Sequence, residues 1–139
     1  MEILSVKNLN FTYPEAKEKS LSDVSFCVNS GDIVLLCGEN GSGKTTLLKM
    51  LKKELSPFGK RTGEILFCGE SIESAKSSDI GFVFQDVESQ IVCDKVWHEL
   101  AFTLENTGTE PMQMRRRVAE AAGYFGITQW IYKNTSELS

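Results

Sequence analysis

The sequence predicts an α/β domain whose strands come first and whose helices come last. Three observations carry this. Apolar residues alternate through much of the first 30 positions, the period of a half-buried strand. A continuous apolar run at 33–37 opens directly into a glycine-rich loop and then a helical pattern. From about residue 94 onward, apolar residues recur at helical spacing. A β-rich start, a strand–loop–helix unit and closing helices describe one mixed domain, and 139 residues suffice for a core.

Taken in order, residues 2–13 hold Ile3, Leu4, Val6, Leu9 and Phe11 and read as a strand. Residues 14–20 are polar, begin with Pro14, and read as a loop or hairpin turn. A second strand spans 21–28, with Val24, Phe26 and Val28 alternating. Residues 29–32 form a turn. The run at 33–37 is apolar throughout, the mark of a strand covered on both faces. After the glycine loop, Leu47, Leu48, Leu51 and Leu55 share one helical face until Pro57 and Gly59 stop it. Residues 63–68 and 80–84 read as short strands. A helix is expected at about 94–105, with Asp94 as its cap and Val96, Leu100, Ala101 and Leu104 on one side. Thr109-Glu110-Pro111 marks a further helix start, a cap followed by proline in the first turn.

Composition narrows the function. The net charge is −4, so the chain offers no basic surface for nucleic acid. No apolar run approaches the roughly 20 residues that a spanning helix needs. The four cysteines, Cys27, Cys37, Cys68 and Cys93, have no CxxC spacing and are expected to be buried, reduced thiols. His98, the only histidine, lies mid-helix, and Arg115, Arg116 and Arg117 read as a solvated helix face.

The chemistry concentrates in Gly38-Glu39-Asn40-Gly41-Ser42-Gly43-Lys44-Thr45, which fits G-x-x-x-x-G-K-[ST] at every fixed position. Glycines let the backbone curl so that N–H groups face inward. The following helix start adds unpaired donors and a positive dipole end. In such a loop Lys44 reaches the β- and γ-phosphates of a nucleoside triphosphate, and the Thr45 hydroxyl binds Mg²⁺. Thr46 is positioned to donate to an α-phosphate oxygen.

The surroundings resemble the ATP-binding-cassette (ABC) ATPases. The loop is of the GxNGSGKTT type, with Gly38, Asn40, Gly41, Ser42, Gly43, Lys44, Thr45 and Thr46 matching. LNFTYP at 9–14 looks like the family's aromatic loop, which implies that Tyr13 stacks on adenine. VFQD at 83–86 resembles the Q-loop, which implies that Gln85 touches Mg²⁺ and the attacking water and links to a transmembrane partner. The stretch VFQDVESQIVCDKVWHELAFTLEN is similar to the ATPases of energy-coupling-factor importers, including the cobalt-type ones, through Gln90, Ile91, Val92, Glu99, Leu100, Ala101, Phe102, Leu104, Glu105 and Asn106. Such importers take up vitamins or divalent metal ions.

The resemblance implies an ABC-type P-loop fold with a mainly β subdomain over 1–30, a P-loop core over 31–85, and the Q-loop with part of the helical subdomain over 86–139. It implies ATP and Mg²⁺ as ligands, membrane-embedded subunits contacted through 86–104, a second ATPase subunit, and a cytoplasmic position on the inner face of the membrane. Leu138-Ser139 looks like the opening of the LSGGQ signature. The remaining signature, the acidic segment with its catalytic glutamate, the D-loop and the switch histidine are not in these 139 residues. The expectation is a truncated domain that holds nucleotide, scarcely cleaves it alone, and self-associates through apolar surface. A soluble ABC protein, a non-catalytic nucleotide-binding module and a small P-loop kinase are the competing readings.

Overall fold

The structure, a computed structural model, describes residues 1–138. They divide into two compact units between Phe82 and Val83. The first holds a four-stranded antiparallel sheet, in the order β2-β1-β3-β4, built from β1 (Glu2–Thr12), β2 (Leu21–Asn29), β3 (Lys60–Phe67) and β4 (Glu70–Ser71). One helix, α1 (Lys44–Met50), packs on it.

The central strand departs from strict alternation. Val6, Leu9 and Phe11 are all buried, so the inward face skips a residue between 6 and 9. A bulge absorbs the extra position. Pairing with both neighbours shifts there, and Asn8 takes φ 48°. Its N–H donates to Ser25 Oγ at 2.8 Å, and its amide donates to Asp23 Oδ1 at 2.9 Å. Gly63, at φ 97°, lets β3 lie against the Asn8 carbonyl, where a Cβ would collide. The sheet's inner face and α1 share one core of Val6, Leu9, Phe11, Leu21, Leu47, Met50, Ile65 and Ile72.

The helix after the glycine loop is shorter than its leucine pattern predicts. It ends at Met50, and a separate 3₁₀ turn, Lys53–Leu55, follows. Leu47 is buried while Leu48 is 45% exposed. The Lys52 ammonium donates to the carbonyls of Ser77 at 2.7 Å and Ile80 at 2.6 Å, which ties that segment to the helix end.

Two expected strands are not strands among the described residues. Residues 33–37 and 80–84 carry no strand assignment. A strand exists only as one side of a hydrogen-bonded ladder, and among the described residues no strand lies alongside 33–37. Ile33 is fully exposed and Leu35 is 85% exposed as a result. The cysteines also depart from expectation: all four are free, three are exposed, and Cys93 is half-buried. Cys37 lacks the strand neighbours that would cover it, and Cys68 sits at φ 52° in the turn between β3 and β4.

The second unit contains α2 (Val96–Asn106) and α3 (Pro111–Tyr124), which bury Val96, Ala101, Val118 and Ala122. Glu110 caps α3 by accepting from the N–H groups of Met112 at 2.9 Å and Gln113 at 3.1 Å, with Pro111 following it. Asp94 is not the cap of α2. That position falls to Lys95, which makes no side-chain cap bond. The Asp94 carbonyl instead accepts from the Thr135 N–H at 2.8 Å. His98 and the arginine run are exposed, and Arg116 pairs with Glu120 at 2.8 Å. That carboxylate's hydrogen bond holds the Arg116 guanidinium above its ordinary pKa.

Candidate functional site

The glycine loop connects the exposed run at 33–37 to α1. Gly41 and Gly43 carry φ of 83° and 89°, a region that side chains rarely enter. Gly43 is also the N-cap of α1, and no side chain caps the helix there. The Leu47 N–H bonds to the Gly43 carbonyl at 2.8 Å. Among the described residues, the N–H groups of Gly43, Lys44, Thr45 and Thr46 have no partner in the chain. Four adjacent donors at a helix start, left open on an exposed loop, form an anion-binding surface.

Lys44 folds across this loop. Its ammonium donates to the carbonyls of Gly38 at 2.9 Å and Glu39 at 2.7 Å, and lies 3.4 Å from Ser42 Oγ. The charge is therefore held against the loop's own carbonyls. A lysine so placed adds a full positive charge to the backbone donors. The Thr45 hydroxyl is exposed beside it, while Thr46 points inward and is 9% exposed.

Tyr13 joins the loop through the fold. β1 ends at Thr12, and the next residue reaches the first turn of α1, where the Tyr13 hydroxyl lies 3.1 Å from Thr46 Oγ1. The ring packs edge-on against buried Phe11, with centroids 4.9 Å apart. The residue remains 38% exposed next to the phosphate loop. The structure thus brings together Tyr13, Gly38, Asn40, Gly41, Ser42, Gly43, Lys44, Thr45 and Thr46 in the first unit. It does not bring Gln85 to them within that unit. Gln85 belongs to the second unit, exposed in a bend.

Sequence reasoning named Gln90 and Glu99 only as part of the family resemblance and gave no hydrogen-bonding role to the residues that shape the segment after Gln85. Gln90 Oε1 accepts from the Phe84 N–H at 2.7 Å and closes a loop around residue 85. Glu99, on α2, accepts from the N–H groups of Val92 at 3.0 Å and Cys93 at 2.8 Å. Thr135 donates from Oγ1 to the Cys93 carbonyl at 3.0 Å. These contacts hold 92–94 in place while Ile91 and Val92 stay exposed. Burial, and then the Glu99 carboxylate, push the Cys93 thiol up. The signal available beforehand was that Gln90 and Glu99 belong to the stretch that resembles energy-coupling-factor ATPases; their hydrogen bonds were not visible in it.

With this geometry in hand, the class is defined: a P-loop nucleotide-binding fold with an aromatic side chain beside the loop. The chain belongs to the ABC transporter family, whose sequence profile matches residues 21–139. It is 42% identical over 138 residues to a Bacillus anthracis protein that bears the name of an ABC transporter ATP-binding protein, covering 96% of this chain and 25% of that one. It is 38% identical over 141 residues to the energy-coupling factor transporter ATP-binding protein EcfA1 of Lacticaseibacillus paracasei, covering 99% of this chain and 50% of that one. Among solved structures it resembles cbiO1 of Clostridium perfringens, part of the ABC transporter complex cbiONQ. That match has a TM-score of 0.84 and 29% identity, and covers 99% of this chain and 56% of that one. The chain thus spans a quarter to a half of the length of these curated relatives. Among the described residues, no helix is long and apolar enough to cross a membrane.

Proposed function

We propose that residues 38–46 hold ATP with Mg²⁺, in the nucleotide-binding subunit of an importer of the energy-coupling-factor type. The observation that carries this reading is the junction of loop and helix. Four open N–H donors, 43–46, lie beside an ammonium already drawn into the loop. That is a donor set for a polyphosphate. In this reading Gly38, Asn40, Gly41, Ser42 and Gly43 shape the cradle, and Lys44 neutralises the β- and γ-phosphates. Thr46 donates to the α-phosphate, and the exposed ring of Tyr13 stacks on the base.

The donor set fits Mg²⁺ as well. Among the described residues, no group of three His, Cys, Asp or Glu forms a metal site. Magnesium is commonly held by few protein oxygens together with phosphates and water. In this reading the Thr45 hydroxyl would supply one such oxygen, and the ion would neutralise phosphate charge; the family resemblance, rather than the geometry of the first unit, adds Gln85 as a second ligand. By the same resemblance Gln85 would orient the attacking water, an amide role that needs no titration.

At the level of the whole protein, ATP hydrolysis drives uptake of a vitamin or metal ion. Membrane-embedded subunits dock over 86–104, where Ile91 and Val92 are exposed, and a second ATPase subunit completes the site. The names of the EcfA1 and cbiO1 relatives support this assignment. It places the subunit in the cytoplasm, against the inner face of the membrane. The apolar run at 33–36 supports self-association of the 139-residue chain.

Calorimetric titration of ATP·Mg²⁺ tests the site. Removing a charge-assisted contact costs about 1.5–3 kcal/mol, so Lys44→Ala is expected to weaken binding about ten- to a hundredfold. Equal affinity in both proteins removes Lys44 from the site.

A further inference from the structure

We propose that the Tyr13 hydroxyl is a positioning group for Thr46, so that one residue serves both ends of the nucleotide. The inference rests on the nucleotide site proposed above and adds a coupling inside it. Tyr13 and Thr46 are far apart in sequence, and their hydroxyl oxygens are 3.1 Å apart in a partly buried contact. Either can donate when nothing else competes. A hydroxyl has one proton and two acceptor lone pairs. Once Thr46 turns its proton toward a phosphate oxygen, it can keep Tyr13 only by accepting from it. The phenol is the better donor of the two, so the pair settles with Tyr13 donating to Thr46 and Thr46 donating to the anion. Hydrogen bonds in such a chain polarise one another.

The surroundings keep this pair in register. Thr46 is buried at 9% exposure on the first turn of α1, which limits where its hydroxyl can turn. The Tyr13 ring is held at one end by Phe11, itself 1% exposed, and at the other by Thr46. A ring fixed at both ends loses little freedom when a base stacks on it. The hydroxyl therefore does two things that a phenylalanine in its place does not: it sets the ring before the base arrives, and it directs the Thr46 proton.

The test is a double-mutant cycle on the full chain with Tyr13→Phe, Thr46→Val and their combination, titrated with ATP·Mg²⁺ and separately with inorganic tripolyphosphate. Tyr13→Phe keeps an aromatic face and removes one hydroxyl. The expected result is about three- to tenfold weaker binding of both ligands, the size of one hydrogen bond. The double variant is expected to bind no worse than Thr46→Val alone. Thr46→Ser, which keeps the hydroxyl, is expected to bind like wild type. Unchanged tripolyphosphate affinity in Tyr13→Phe overturns the proposal, because a residue that only stacks touches no phosphate. Additive losses in the double variant overturn it too. Lys44→Ala separates the two levels. If Lys44→Ala loses affinity while Tyr13→Phe does not, the coupling fails and the nucleotide site stands. If Lys44→Ala binds like wild type, both fail.

Discussion

Gly43 carries two separate demands, and substitution by alanine measures their sum. The first is conformational. At φ 89° an alanine enters a region that costs roughly 1–2 kcal/mol for any residue with a Cβ. The second is steric. A Cβ at 43 falls inside the envelope of the Ser20 carbonyl oxygen and 2.9 Å from Leu21 Cδ2. Neither neighbour yields easily. The Ser20 N–H is bonded to the Phe11 carbonyl at 2.8 Å, and Leu21 is buried at the start of β2. Overpacking of this kind costs about 1–3 kcal/mol, so Gly43→Ala should lose about 2–5 kcal/mol in all. Gly41→Ala is the control, because Gly41 has φ 83° but nothing within 4 Å of an added Cβ. It bears the first term only. The assay must report on the first unit. Trp97 and Trp130, the only tryptophans, both lie in the second, so their emission does not serve. Amide hydrogen exchange followed on β1 and β2 peptides in increasing urea does. Losses that agree within about 0.5 kcal/mol between the two variants would refute the steric argument and with it the placement of the loop against the β2 entrance.

Other perturbations are read more briefly. Leu9→Ala, at a fully buried site in the middle of β1, should cost about 2–5 kcal/mol by urea denaturation of the first unit. Glu110→Ala removes the acceptor for two N–H groups of α3 and should cost about 0.5–2 kcal/mol, seen as lost helical circular dichroism in the second unit. Glu99→Gln removes a negative charge that helps raise the Cys93 thiol pKa, so Cys93 should alkylate faster near neutral pH, while burial keeps it slower than the exposed Cys27. The sign follows from the raised pKa: the protonated thiol fits the fold, and stability falls as the pH rises through the thiol range. Leu35→Lys should reduce concentration-dependent light scattering, since it puts a charge in the centre of the exposed run 33–36; unchanged scattering would take that run out of self-association.

Much of the fold was legible because local pattern and burial agree. β1, β2 and α3 appear where alternation, helical spacing and the Glu110-Pro111 start put them. The misses share one cause. A strand is a relation between two segments, so the apolar run at 33–37 announces a capacity for pairing and not the pair itself. The irregular step from Val6 to Leu9 was visible in the sequence, but its meaning depended on Asn8, Asp23 and Gly63 meeting across three strands. Asp94 looked like a cap because caps are predicted from residue type, whereas the contact that decided its role comes from Thr135, far along the chain.

The candidate site divides in the same way, and the division says what kind of information each half carries. Gly41, Gly43 and Lys44 could be found from sequence because their task is a backbone shape plus a charge, both encoded within eight consecutive residues. Tyr13 could be suspected from the motif around it, but its hydroxyl on Thr46 could not, since that contact exists only after β1 has delivered the residue that follows it to the start of α1. The bulge at Asn8 is part of that delivery. It shifts the parity of β1 so that Phe11 faces the core and supports the ring at 13 from beneath. A one-residue irregularity at position 8 thus sets the face on which residue 11 falls, and through it the aromatic wall of a loop that begins thirty residues later.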